Sequence, residues 1–286
     1  MAIIDCHALV VSTDTARYPI AEDGPPPAPQ DWAGCTNAEA LMEALGAGAV
    51  SGAVLVQRNR LYGFDNGLIC DLAAASPALR AICSVDARRD EAATDARDWI
   101  ARRGASGIRF MEPSRGSDPS WIDSAAARGV WRVAADEGAV VDVHAFPWNR
   151  AMVLPVVRAM AREFPGLPIL LDNLGNPSLQ DGAPDFGLDA ALAALAALAD
   201  CPALTLKFSA MTLARLARTG LDPAAAMARF ARAFGPDRLI WGSDLLGEGE
   251  TLRDAATRAM RATDALGSAA QDAMLHGNAA RLFGFD

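Results

Sequence analysis

Residues 138–164 read GAVVDVHAFPWNRAMVLPVVRAMAREF, and they contain the whole architectural argument in one unit. A valine-rich run, 139–145, carries His144 at its next-to-last position, and an amphipathic stretch, 149–164, follows after a short Pro-containing turn. A run of that length and composition suits a buried strand, and the 3.6-residue periodicity after it suits a helix lying on the sheet. Gly138 fits the left-handed residue that ends a preceding helix, and Asn149 fits an N-cap. The pattern recurs in both directions. Candidate strands lie at 3–10, 53–57, 79–85, 107–111, 139–145, 168–173, 204–209 and 238–243. Helical patterns lie at 37–48, 91–103, 122–137, 149–164, 188–200, 223–234 and 251–266, with a shorter one at 65–74. Asn37, Gly104 and the Asp222-Pro223 pair supply further end signals.

Strict alternation of strand and helix implies parallel strands joined by right-handed crossovers. Eight units in 286 residues fit a closed (β/α)8 barrel of one domain spanning 1–286. An open doubly wound sheet would usually carry a glycine-rich phosphate loop in its first βα turn; here that turn reads HALVVSTD. Two segments break the rhythm, the proline-rich 18–32 and the Gly/Pro-containing 175–187. Both follow strands on the side where barrel enzymes carry their sites, and both are expected to cover it.

The bulk numbers narrow the function. Hydrophobic residues form 51% of the chain, enough for a large core. The net charge of −9 argues against nucleic-acid partners, which need a concentrated basic face. No apolar run approaches the roughly 18 residues of a membrane span. The start MAIIDCHALVV lacks a basic leader region and reads as the first strand. Five widely spaced cysteines without a CxxC pair fit reduced thiols in a cytoplasmic protein. A homo-oligomer is compatible with all of this.

In a barrel, polar residues at the last positions of strands face the reaction space. Reading those positions gives Asp5 and His7, Gln57, Arg109, His144, Asn173, Lys207 and Ser209, and Asp244. Any one of them could be a satisfied core group; their convergence on strand ends is the signal. His276, in the closing helix, lies outside the expected mouth. Trp148 and Trp241 are the tryptophans expected to wall a pocket.

In order along the chain, IIDCHALV, VLVQ with YGFDN, GIRF, VDVHAF, LLDNLGNP, LKFSA, LIWGSD and GNAARLFG resemble the amidohydrolase superfamily, specifically its amidohydrolase-2 branch with the 2-pyrone-4,6-dicarboxylate lactonases. Two departures stand out. The family's first strand usually ends in HxH, whereas His7 is followed by Ala8 and Leu9, and its sixth-strand His is replaced by Asn173. His7, His144 and Asp244 remain, a trio that could hold a divalent ion such as zinc or manganese. The resembling lactonases are thought to work without metal, so no cofactor is expected to be required.

The resemblance implies a hydrolase that opens a carboxylated lactone or related cyclic ester. Asp244 would act as general base on water, with His7 and His144 assisting at the carbonyl. An ordinary Asp, with a pKa of about 3.9, is a weak base, which favours an activated ester over an amide. Arg109 and Arg115 match the spacing of the lactonases' carboxylate-binding arginines and would anchor a small carboxylated cyclic substrate bidentately. Arg215 and Arg150 are further contact candidates. Gln57, Tyr62, Asp65 and Asn66 would line or brace the pocket, and Lys207 would brace the mouth through an ion pair. The alternatives are a metal-dependent amidohydrolase or decarboxylase with His7, His144 and Asp244 as ligands, and a barrel that only binds a carboxylate.

Overall fold

Eight parallel strands follow one another around the sheet in chain order: β1 (Ile4–Ala8), β2 (Gly52–Val56), β3 (Leu79–Ser84), β4 (Gly107–Met111), β5 (Val140–His144), β6 (Ile169–Leu171), β7 (Leu204–Ser209) and β8 (Leu239–Gly242). Each consecutive pair is parallel. The structure, a computed structural model, describes residues 2–22, 27, 32, 35–177, 187–245 and 250–286. The two loops expected to cover the site lie mostly outside the described residues.

The seam between β8 and β1 is drawn together beyond the last strand residues. The Asp244 amide donates to the His7 carbonyl at 3.1 Å, and the Ser243 amide donates to the Asp5 carboxylate at 2.6 Å. With helices alternating between the strands, the architecture is the (β/α)8 barrel that the sequence rhythm implies.

Alternation along the strands sorts the core into two regions. Ile4, Cys6, Val54, Val56, Ile82, Val140, Leu170 and Ile240 form one buried cluster, which fills the barrel axis. A larger cluster lies between sheet and helices and includes the stacked pair Phe110 and Trp131, 4.8 Å apart. Trp241, expected as a pocket wall, belongs to that outer cluster and is fully buried. Alternation explains the correction, because its neighbour Gly242 takes the inward position.

Helix ends follow the sequence signals with one exception. Asn37 accepts from the Ala40 amide at 2.7 Å, Asp222 caps Pro223–Phe234, and Gly104 and Gly138 are left-handed. Asn149 does not cap Arg150–Glu163; its Oδ1 accepts from the Phe146 amide behind it, and its Nδ2 donates to Glu112. The helix Ala210–Arg218, directly after β7, was not expected; Ser209 caps it by accepting from the Thr212 amide. Among the described residues no helix is long and apolar enough to cross a membrane.

Candidate active site

Strand β1 departs from regular pairing between Asp5 and Ala8. Irregularities of this kind re-aim side chains near functional sites. Here Cys6 joins the axial cluster, and His7 also turns inward, toward β6. The Asp5 carboxylate accepts the His7 amide at 2.9 Å as well as the Ser243 amide, so it secures the turn instead of facing the mouth. Burial pushes the Asp5 carboxyl up, partly offset by those hydrogen bonds.

Asp172, the residue just past β6, is the hub. His7 Nδ1 lies 3.5 Å from its Oδ1, His144 Nδ1 lies 3.3 Å from its Oδ2, and Arg109 Nη2 donates to Oδ2 at 2.9 Å. Lys207 Nζ approaches Oδ1 at 2.8 Å and also donates to Asp142 at 3.1 Å, the ion pair expected of it. Arg109 Nε stands 3.6 Å from Asp142 Oδ2. The two carboxylates and two permanent cations form a fully or nearly fully buried quartet under the histidines. Burial acts to raise Asp172, but Lys207, His7 and Arg109 together outweigh it and hold the carboxyl well below its usual range. Asp142 is pushed up, by burial first and by Asp172 second. Lys207 is raised, because the two aspartates outweigh its burial.

Past the hub the chain turns through left-handed residues: Asn173 at φ 51°, Leu174 at 55° and Asn176 at 50°. Such a conformation costs an L-residue of Leu's bulk of order 1–3 kcal/mol, and strain of this kind concentrates at functional sites. The turn swings Asn173 out of strand register, so its Nδ2 donates to Asp244 Oδ2 at 3.0 Å. Ser209 and Thr212 donate to the other end of the amide, at 2.5 and 3.0 Å, which fixes its orientation. Asp244, itself at φ 38°, presents Oδ1 to His7 Nε2 at 3.9 Å and keeps partial solvent access. His7 therefore stands between two carboxylates.

His7, Arg109, His144, Asn173 and Asp244 thus share one neighbourhood. Arg215 is held at its edge: it donates to Asn176 Oδ1 at 2.5 Å, and burial lowers its pKa while Asp244 partly offsets the effect. Gln57 and Tyr62 are placed elsewhere. The Gln57 amide donates to the carbonyls of Gly63 and Asp65, and the Tyr62 hydroxyl accepts from the Ser12 amide. Both brace the loops above β1 and β2. Asn66 likewise bonds the Ser84 backbone in both directions. Arg115 is exposed at the rim, its guanidinium 4.8 Å from the centre of the Trp148 ring. His276 sits in Ala273–Gly277, close to Asn278, which bonds the carbonyl of Leu239 at the start of β8, the end opposite the mouth. A small cleft is lined by Asn59, Phe64, Ser84, Arg109, Met111 and Trp121 among others.

Sequence reading missed Asp142 and Asp172. A signal for Asp142 existed, since it precedes His144 by two residues and therefore shares its face. Asp172 was masked by the expectation that β6 continues through Asn173.

The trio His7, His144 and Asp244 does not make a convincing cation site. Asn173 aims an N–H donor at Asp244, and Arg109 with Lys207 already neutralises the buried carboxylates. A divalent ion needs converging lone pairs, and its charge would add to two buried cations. Among the described residues no group of three or more His, Cys, Asp or Glu side chains is arranged to hold a metal ion.

The whole barrel has structural counterparts. An amidohydrolase from Burkholderia multivorans with bound zinc superposes with a TM-score of 0.74 at 23% identity, covering 100% of both chains. A candidate 2-pyrone-4,6-dicarboxylic acid hydrolase from Pseudomonas putida gives 0.74 at 21% identity, over 100% of this chain and 98% of that one. A second such candidate, from Acinetobacter baumannii with citric acid bound, gives 0.70 at 21% over 100% of both. At these identities the likeness speaks for the fold. No curated protein matches the sequence. The match to the amidohydrolase family itself runs over residues 4–285, from the first barrel strand to the closing helix, and this chain belongs to that family.

Proposed function

We propose that this protein is a metal-independent hydrolase that opens a carboxylated lactone or related cyclic ester. The observation that carries the reading is the placement of His7 between Asp172 and Asp244, with Arg109 and His144 on the same Asp172 carboxylate.

In this scheme Asp244 takes a proton from water, and the resulting hydroxide adds to the ester carbonyl. His7, anchored through Nδ1, keeps Nε2 beside Asp244 and the reacting atoms. His144 Nδ1 lies between Arg109 Nη2, at 3.2 Å, and Asp172 Oδ2, at 3.3 Å; in the tautomer that accepts from Arg109 the imidazole proton sits on Nε2. That N–H stabilises the developing oxyanion, and His7 adds a second donor when both of its ring nitrogens carry protons. The acyl C–O bond then breaks, and the ring oxygen recovers the proton from Asp244. Lactone and water become an open hydroxy acid. Arg109, which lines the cleft, holds a substrate carboxylate beside its bond to Asp172, with Arg115 and Arg215 nearer the rim.

A panel of carboxylated lactones that includes 2-pyrone-4,6-dicarboxylate tests the reading, with elemental analysis of the protein and rates before and after chelation. Turnover that survives chelation is expected. Stoichiometric zinc or manganese whose removal abolishes turnover would establish the metal-dependent alternative, for which the zinc-bearing Burkholderia multivorans structure is the specific motive. Binding without turnover, indifferent to Asp244→Asn, would mark a carboxylate-binding barrel.

A further inference from the structure

The mouth has a second organising carboxylate that the scheme above does not use. Glu112, one residue beyond β4, is only 5% exposed, and four donors converge on it. Its Oε1 accepts from the amides of Gly116 and Ser117 at 2.9 and 3.1 Å. Its Oε2 accepts from Trp148 Nε1 at 2.6 Å and from Asn149 Nδ2 at 3.0 Å. The first pair folds the β4 loop back onto its own start, and the second ties that loop to the one following β5. Charge-assisted bonds to a buried carboxylate are among the strongest a protein makes, so the two loops behave as one piece.

Arg115 and Trp148 are what this piece displays. Arg115 sits inside the segment that Glu112 folds, and its guanidinium lies over the indole ring. Trp148 is 48% exposed, yet its only polar atom is turned inward to Glu112. Phe146 stacks on Trp148 with ring centres 4.5 Å apart, and it meets the His144 ring edge-on at the same separation. A continuous line therefore runs from His144 through Phe146 and Trp148 to Arg115. An indole held under a guanidinium restricts an otherwise mobile arginine, and Arg115 remains exposed.

We infer that Glu112 is a positioning residue, which fixes the Arg115–Trp148 pair at the rim and thereby sets affinity for carboxylated substrates. This rests on the anion-binding side of the proposed function, and it names the residue that determines how tightly that site grips. Glu112 takes no part in the chemical step.

Glu112→Gln is the direct test. The amide has one oxygen, so it can serve the Gly116–Ser117 side or the Trp148–Asn149 side but not both. With a lactone that the wild type turns over, KM is expected to rise about tenfold while kcat stays within about threefold, the pattern of lost binding that is uniform between ground and transition states. In an Arg115→Ala background the same change should raise KM by less than about twofold, because residues acting through one another are non-additive. Trp148→Phe keeps an aromatic ring but removes the Nε1 donor together with part of the indole face, and it should raise KM several-fold. An unchanged KM, an equal fall in kcat, or an undiminished effect in the Arg115→Ala background would overturn the inference.

Calorimetric titration of citrate separates this inference from the hydrolase reading. If no lactone is turned over but Glu112→Gln still weakens citrate binding about tenfold, the positioning role stands and the hydrolase fails. Equal citrate binding by wild type and Glu112→Gln defeats the positioning role alone. A wild type that binds neither citrate nor any carboxylated lactone defeats both.

Discussion

Gly242 lies directly against His7: a methyl group at position 242 would fall 2.5 Å from the His7 Cβ and 2.8 Å from its backbone nitrogen. The seam between β8 and β1 closes only because no side chain intervenes, and the same gap lets His7 turn inward. Backbone contacts that short cannot be relieved by a rotamer change. Gly242→Ala should therefore lose about 1–3 kcal/mol of stability, read as a lowered midpoint in chemical denaturation. It should also reduce kcat/KM by about tenfold or more as His7 shifts from Asp244. A variant as stable as wild type would mean that the seam is looser than described.

The hub makes a prediction about acid. The folded state holds Asp172 below its ordinary value of 3.8, because Lys207, His7 and Arg109 outweigh burial. Its stabilising contribution is thus fully present above the unfolded value and is lost as pH falls below it toward the folded one. Asp142 and Asp5 are shifted the other way by burial, so they must be subtracted out. The measurement is the difference in Tm between wild type and Asp172→Asn across pH 7 to 2. The wild-type advantage should hold down to about pH 4 and shrink below it. A gap independent of pH would show that the Asp172 charge contributes nothing.

Asn173 offers a kinetic test of the base. Ser209 and Thr212 hold its oxygen, so its N–H faces Asp244. Asn173→Asp replaces that donor by a second carboxylate about 3 Å away, which disfavours ionisation of Asp244. If the ionised form is the base, the acidic limb of kcat/KM should move upward by about one pH unit or more. An acidic limb that stays in place would remove Asp244 from that role.

Much of this was legible in the chain. The alternation of strand and helix specified eight strands, and all eight appear within a few residues of expectation, because burial between helices and barrel axis enforces long apolar runs. His7, Arg109, His144 and Asp244 were readable as strand-end polar residues, and they meet. What escaped the sequence are local departures from regularity. The irregularity in β1 converts Asp5 from a mouth residue into a seam residue, and the left-handed turn after Leu171 exchanges Asp172 for Asn173 at the strand end. Glu112 carried no signal, because one carboxylate serving two loops depends on where those loops meet.

Asp244 carries the central claim, and ring opening by wild type and Asp244→Asn, followed by loss of lactone absorbance with substrate saturating, tests it most directly. The account predicts a kcat lower by about a hundredfold or more in the variant, as expected when a positioned general base is removed, with binding of the intact lactone retained. A variant that opens the ring at the wild-type rate would contradict it.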